Sequence, residues 1–428
     1  MADIADMGDV ARSCTPSSTL TDTVGRMVTD AHPFDLTLGE LRKRTSEKWQ
    51  SADSDVLPLW VAEMDVMPAP AVAEVLQEAL ARGDTGYATG AGYAEAYAAF
   101  AEDRWAFANS DPAHSAMVPD VMLGVVEMLK LVTGPGDPVV LTPPVYPPFY
   151  SFVEHLDRRV VEVPLTAQHR LDVPALADTF ATLGVEGRAA FLLCNPHNPT
   201  GTVHSAVELA GVASAAESAG IRVIVDEIHA PLVLPGATFT PYFAVPGGDR
   251  ALVLVSASKG WNLPGLKSAV AFAGSGAAGD LAQLPEEVGH GSSHLAVLAH
   301  TAALSAGQDW LDEVLTGLDR NRTLLSELLL AHLPAVRWDP GGATYLAWLD
   351  FSQVRRVTEA SSDTNARGDA SARTGVAAWL LENAKVLLSS GPSFGAGGAY
   401  CARLNFATSA SMLTEAVLRM SDAVAWME

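Results

Sequence analysis

Cysteine is scarce in this chain: Cys14, Cys194 and Cys401 are three residues among 428. They are too few and too scattered for a disulfide framework or a thiolate-built zinc site, so neither an oxidising compartment nor a structural metal is called for. Cations are also sparse, with 27 Lys and Arg against 50 Asp and Glu. The resulting net charge of −23 repels phosphate backbones and anionic lipid surfaces, which argues against nucleic acid and membranes as partners. No apolar run reaches the roughly 18 residues that span a bilayer, and residues 1–30 lack the basic start and apolar centre of a secretory signal. The expected location is the cytoplasm.

What is present suits a globular enzyme. Hydrophobic residues make up 49% and charged residues 18%, enough to bury a sizeable core. The length allows two or three domains by simple proportion, but α/β enzymes often run longer as one unit, so one large and one small domain are expected. Residues 1–30 mix Asp, Ser, Thr and Ala without an apolar stripe and read as a mobile leader. A second polar stretch, Thr358 to Arg373, reads as a surface insertion between Tyr345–Leu349 and the helix-like Val376–Ala384.

Between these stretches, short apolar runs alternate with turn signals and helical segments: Val139–Leu141, Ala189–Cys194, Ile221–Val225, Leu252–Ser256 and Ala269–Ala273. Ser205 and Glu208 form an S-x-x-E capping signal and Gly220 closes the helix it opens. The pattern predicts an α/β fold with a mostly parallel sheet covered on both faces, whose ligands sit beyond the carboxyl ends of its strands. Leu413, Val417, Met420, Val424 and Met427 follow a 4, 3, 4, 3 spacing, one packing face of a closing helix.

The polar residues just past the apolar runs are the candidates for chemistry. Asn195-Pro-His-Asn-Pro-Thr-Gly201 is a turn whose asparagine amides can donate to a ligand. Asp226, followed by Glu227-Ile-His229, ends a hydrophobic strand, where an unpartnered carboxylate costs several kcal/mol and calls for a cation. Ser256-Ala-Ser-Lys259-Gly-Trp-Asn-Leu-Pro-Gly-Leu-Lys267 gathers hydroxyls, ammonium groups and glycines after one strand, which suits a phosphate. Of six lysines in the chain, only Lys259 and Lys267 lie in such a loop.

Together these residues resemble the fold-type I enzymes dependent on pyridoxal 5′-phosphate (PLP), and within them the class I/II aminotransferase group. The order NPTG, Asp226 28 positions after Asn198, Lys259 33 positions after Asp226, and the later Arg403 carries the resemblance from about Asp35 to the C-terminus. Leu57–Asp65, Thr85–Tyr87, Pro144–Phe149, Asp226–His229 and Gly342–Asp350 are most similar to the MalY/PatB-type carbon–sulfur β-lyases. The resemblance implies a small domain from residues 31–59 and 306–428, and a large PLP-binding domain from 60–305.

It also implies roles. Lys259 would hold PLP covalently and shuttle protons, and Asp226 would keep the ring nitrogen protonated. Asn198 and His229 would bind the ring 3′ oxygen, and Tyr146 would stack on the ring. The phosphate would be held by amides around Gly124 and Val125, by Ser256 and Ser258, and by Lys267, where many relatives carry Arg. Arg403 would grip the substrate carboxylate as a two-pronged donor. Tyr87 would reach the phosphate of a neighbouring subunit in a homodimer, with Ser292-Ser-His294 at the same boundary.

The implied activity is β-elimination from L-cystathionine or a related L-cysteine conjugate, giving a thiol, pyruvate and ammonia. An aminotransferase uses the same residues, and the motifs leave it open; the wording of 60–65 and 226–229 favours the lyase. A PLP-retaining protein with a regulatory binding role is the third reading.

Overall fold

The computed structural model describes residues 33–90, 92–360 and 374–425. The expected leader lies outside the described residues, as do residues 361–373 of the polar stretch. Thr358 falls within the helix Arg355–Ala360, so the start of that stretch prolongs a helix and does not open a loop.

Seven strands form the central sheet: β1 (Ser115–Val118), β2 (Pro138–Leu141), β3 (Arg159–Glu162), β4 (Ala190–Cys194), β5 (Arg222–Asp226), β6 (Leu252–Val255) and β7 (Ala269–Ala273), in the spatial order β1-β7-β6-β5-β4-β2-β3. β6, β5, β4, β2 and β3 are parallel, whereas β7 runs against both of its neighbours. The apolar alternation foresees the parallel strands. It gives β7 its place but no direction: residues 256–268 between β6 and β7 contain no helix to carry the chain back, and without a crossover the next strand returns antiparallel.

Strand alternation sorts side chains onto two core faces. Phe191 and Leu193 of β4 pack on one face, with Leu209, Val212 and Ala216 of the helix Ala206–Ala219; Ala190, Leu192 and Cys194 pack on the other, with Val125, Met128 and Leu129 of the helix Val121–Val132. We name these helices α1 (Val121–Val132) and α2 (Ala206–Ala219). The capping reading holds at α2: Ser205 and Glu208 complete the box, and Gly220 ends the helix at φ +70. At α1 the cap is Asp120, whose side chain accepts from Leu123 N.

A second body packs beside this sheet. β8 (Leu346–Asp350), β9 (Ser389–Ser390) and β10 (Cys401–Asn405) form an antiparallel sheet in the order β9-β10-β8, and Leu57–Pro58 pairs in parallel with Val386–Leu387. The helices Gln308–His332 and Ala410–Ala425 pack against each other. The latter buries Leu413, Val417 and Met420, as their spacing predicts; Val424 is half-buried and Met427 lies outside the described residues.

Residues 60–65 form a strap across the junction of the two bodies, and side chains from both hold its carbonyls. Asn405 Nδ2 donates to Val61 O and Glu63 O, both at 2.7 Å, and Asn262 Nδ2 donates to Met64 O at 2.8 Å. The far end is anchored by a buried ion pair, Lys48 Nζ to Asp65 Oδ2 at 2.7 Å, with Trp49 Nε1 donating to Asp65 Oδ1 at 3.1 Å. Removing one partner leaves an uncompensated buried charge. Lys48→Met is therefore expected to cost about 3–5 kcal/mol, read as a lower denaturation midpoint, whereas exposed Lys130→Met leaves the midpoint nearly unchanged.

Candidate active site

The carboxyl ends of three parallel strands open onto one cavity. β4 delivers the turn Asn195–Gly201, β5 ends in Asp226, and β6 runs into the loop 256–267; Asn198, Asp226, His229, Ser258, Lys259 and Lys267 all line it. Tyr146 forms another wall, and Ala62 of the strap closes it. The sequence expectations at these seven numbered site residues, Tyr146 included, thus converge on one place.

Asp226 is 3% exposed, and its carboxylate accepts Ile228 N at 3.0 Å. Burial pushes its pKa up to about 7, against the pull of that amide and of Lys259. Lys259 responds in the opposite sense: burial, then the nearby Arg403 and Lys267 charges, bring it down to about 8. Its Nζ donates to Ala62 O at 2.8 Å, and Tyr345 OH donates to the same carbonyl at 3.0 Å. Burial and the two cations Lys259 and Arg403 hold His229 well below the usual imidazole range, so this ring is neutral, and its Nδ1 is buried with no partner among the described residues.

Arg403 comes from β10 and is 5% exposed. Its Nη1 donates to Asn198 Oδ1 at 3.0 Å, and its Nη2 donates to Trp60 O at 3.1 Å and Ser389 Oγ at 3.2 Å. The guanidinium lies 5.1 Å from the Phe394 ring centroid. Among the described residues no carboxylate pairs with it. Burial lowers its pKa to about 10, so it remains charged at neutral pH, and a buried cation held by neutral groups is a receptor for an anion.

The donor set fits PLP. Asp226 is a buried carboxyl able to meet a ring nitrogen, while the orphaned His229 Nδ1 and the Asn198 amide can meet a ring oxygen. Lys259 offers an amine for the aldehyde, and Ser258 and Lys267 offer donors to a phosphate. The described residues contain no cluster able to hold a metal.

Two expectations are corrected. Gly124 and Val125 lie in the second turn of α1, where Gly124 N already donates to Asp120 O at 2.8 Å and Val125 is buried in the core. The cavity instead meets Asp120, Val121 and Met122. Glycine at 124 answers to packing, since a Cβ there would stand 2.5 Å from Leu254 Cδ2 and 2.9 Å from Val118 Cγ2. Ser256 braces its own loop, with Oγ donating to Ser268 O at 2.9 Å and accepting Ser258 N at 3.2 Å. Tyr87, expected to serve a neighbouring subunit, is 91% exposed and does not line the cavity of its own chain. Ser292 Oγ donates to Val118 O at 2.8 Å, and His294 Nε2 contacts Asp84 Oδ1 at 3.1 Å, so that triplet braces neighbouring segments.

Sequence reasoning missed Ala62, Tyr345, Asp120 and Cys194. An alanine that acts through its carbonyl carries no side-chain signature, but Pro-Asp ahead of the apolar-faced 121–132 was a readable helix start.

The raised Asp226 pKa makes a pH-dependent prediction for the cofactor-free protein. Below about pH 4 the carboxyl is protonated in both folded and unfolded chains, and it contributes no penalty. As pH rises through 7 the unfolded chain has already ionised, so native stability is lost. Asp226→Asn is expected to be more stable than the parent at pH 8, by on the order of a few kcal/mol, with the advantage gone at pH 4, as thermal unfolding at the two pH values will measure.

Comparison with known proteins agrees with this geometry. A protein of Mycobacterium tuberculosis named "Putative cystathionine beta-lyase" is 55% identical over 396 residues, covering 90% of this chain and 97% of its own. The cystathionine beta-lyase of Corynebacterium glutamicum is 32% identical over 388 residues, covering 90% of this chain and 98% of its own. A solved structure from Corynebacterium diphtheriae, described as a "putative plp-dependent beta-cystathionase", superposes with a TM-score of 0.81 at 31% identity, covering 92% of this chain and 99% of that one. The family model for aminotransferases of class I and II matches residues 54–420. With the strand-end cavity and these matches together, the chain belongs to the class I and II aminotransferase family.

Proposed function

We propose that this protein is a PLP-dependent carbon–sulfur β-lyase that cleaves L-cystathionine or a related L-cysteine conjugate. The observation that carries the reading is the meeting of Lys259 and Asp226 in one cavity, with the buried Arg403 bonded to Asn198 of its lining and none of the three paired with another. Relatives named for cystathionine cleavage cover nine-tenths of the chain.

PLP supplies an electron sink for the pair left on the substrate when its Cα proton departs. The chain's own residues do the rest. Arg403 binds the substrate carboxylate, steadied by Asn198 Oδ1, Trp60 O and Ser389 Oγ, and so presents the amino acid in one orientation. Lys259 Nζ takes the Cα proton; a pKa lowered to about 8 leaves a useful neutral fraction near physiological pH. Asp226 holds the proton at the ring nitrogen, which keeps the sink effective as charge develops. Asn198 and the neutral His229 hold the ring oxygen, and Tyr146 walls the ring. The Cβ–S bond breaks, Lys259 passes the proton it took from Cα to the departing sulfur, which leaves as thiol, and water completes pyruvate and ammonia.

The same reading assigns the PLP-binding body to 60–305 and the smaller body to 31–59 with 306–428, supported by the confinement of the seven-stranded sheet to 115–273. The working unit is a homodimer in which Tyr87 enters the neighbouring site, supported by the full exposure of a large aromatic on its loop. A cytoplasmic location is supported by the free, buried Cys194 and Cys401. No helix among the described residues is long and apolar enough to cross a membrane.

With PLP and L-cystathionine and no 2-oxo acid, the protein is expected to release pyruvate, homocysteine and ammonia in equal amounts. Turnover that requires an added 2-oxo acid and yields no ammonia would assign an aminotransferase instead. Asp226→Ala is expected to lower the rate at least about a hundredfold, near 3 kcal/mol at roughly 1.4 kcal/mol per decade. Lys259→Ala should abolish turnover and the borohydride trapping of PLP on the chain.

A further inference from the structure

The phosphate end of the cavity contains a carboxylate. Asp120 caps α1, its Oδ1 accepting Leu123 N at 2.8 Å, and its Oδ2 pairs with Lys267 Nζ at 3.2 Å. A helix N-terminus and an adjacent ammonium are the two features that attract an anion, and here one aspartate engages both. The pair joins two braced segments: Ser293 N donates to Lys267 O at 3.1 Å, and Ser292 Oγ donates to Val118 O at 2.8 Å, two residues before Asp120. Lys267 itself is 60% exposed along its side chain, so its ammonium can move between partners. Lys259, the other cation of the loop, is committed to Ala62 O.

We propose that Asp120 is a built-in competitor for the cofactor phosphate, sharing Lys267 with it, and that it weakens cofactor retention in favour of exchange. This rests on the reading that the cavity takes PLP. The phosphate meets a cation already shared and a like charge beside it, whereas the pyridine ring and aldehyde, held by Asp226, Asn198, His229 and Lys259, do not meet Asp120. The penalty therefore falls on the phosphate ester alone.

Asp120→Asn tests this directly, because asparagine caps a helix about as well as aspartate while removing the charge. Full-length protein stripped of cofactor is titrated with PLP and, separately, with pyridoxal, which lacks the phosphate; bound ligand is measured by equilibrium dialysis, and release from the reloaded protein by serial dialysis. Asp120→Asn is expected to bind PLP about tenfold or more tightly and to release it more slowly, with pyridoxal affinity unchanged. The gain should shrink as salt is raised, and Asp120→Ser, which also caps, should reproduce it. PLP binding that is unchanged or weaker in both variants overturns the proposal, as does an equal gain for pyridoxal, which would locate the effect away from the phosphate. Parent protein that takes up neither ligand overturns the PLP reading itself, an outcome distinct from the first two.

Discussion

The site depends on keeping buried charges from neutralising one another. Lys259 rests on the Ala62 carbonyl, Arg403 on Asn198, Ser389 and the Trp60 carbonyl, and Asp226 on the Ile228 amide. Each is satisfied by a neutral dipole, which offsets part of its desolvation cost and leaves its charge available to a ligand. Direct pairing of Lys259 with Asp226 would quench both, and the opposite shifts of the two groups towards neutrality express the same constraint.

That arrangement requires a precise supply of carbonyls, and residues 60–65 provide it. Trp60 O and Ala62 O face the two cations of the site, while Val61, Glu63 and Met64 carbonyls are tied outward to Asn405, Lys48 and Asn262. The Lys48–Asp65 pair, remote from the chemistry, anchors the same segment. Asn262 belongs to the Lys259 loop and Asn405 to β10 with Arg403, so one strap links the loop that carries the amine to the strand that carries the guanidinium. At the phosphate end the logic reverses: Asp120 and Lys267 do pair, and the cation there is shared.

Much of this was legible along the chain. Buried parallel strands read as continuous apolar runs, so β2, β4, β5 and β6 announced themselves, and polar residues at their ends stood out against that background. The short edge strands β1 and β3, only partly buried, carried a weaker signal. Gly124 misled because a glycine inside a helix suits either a close phosphate or a close strand, and only the distance to Leu254 separates them. The direction of the Ser256 hydroxyl was not readable, because a hydroxyl in a polar loop has no inherent direction; here it turns back to Ser268.

The amino-acid order alone therefore determined the layered α/β architecture, the caps of α2, and the strand-end positions of Asn198, Asp226 and Lys259. Those features arise from local periodicity and from side chains whose burial would be too costly without a partner. Tertiary structure decided which carbonyl each cation rests on, that β7 runs backwards, that α1 meets the cavity at Asp120 and not at Gly124, and that Lys267 has a rival anion beside it. Hydrogen bonds and charge pairs between residues nearly 150 to more than 300 positions apart, such as Asp120 with Lys267 and Arg403 with Trp60, depend on the path of the folded chain, and nothing in the local order of residues encodes that path.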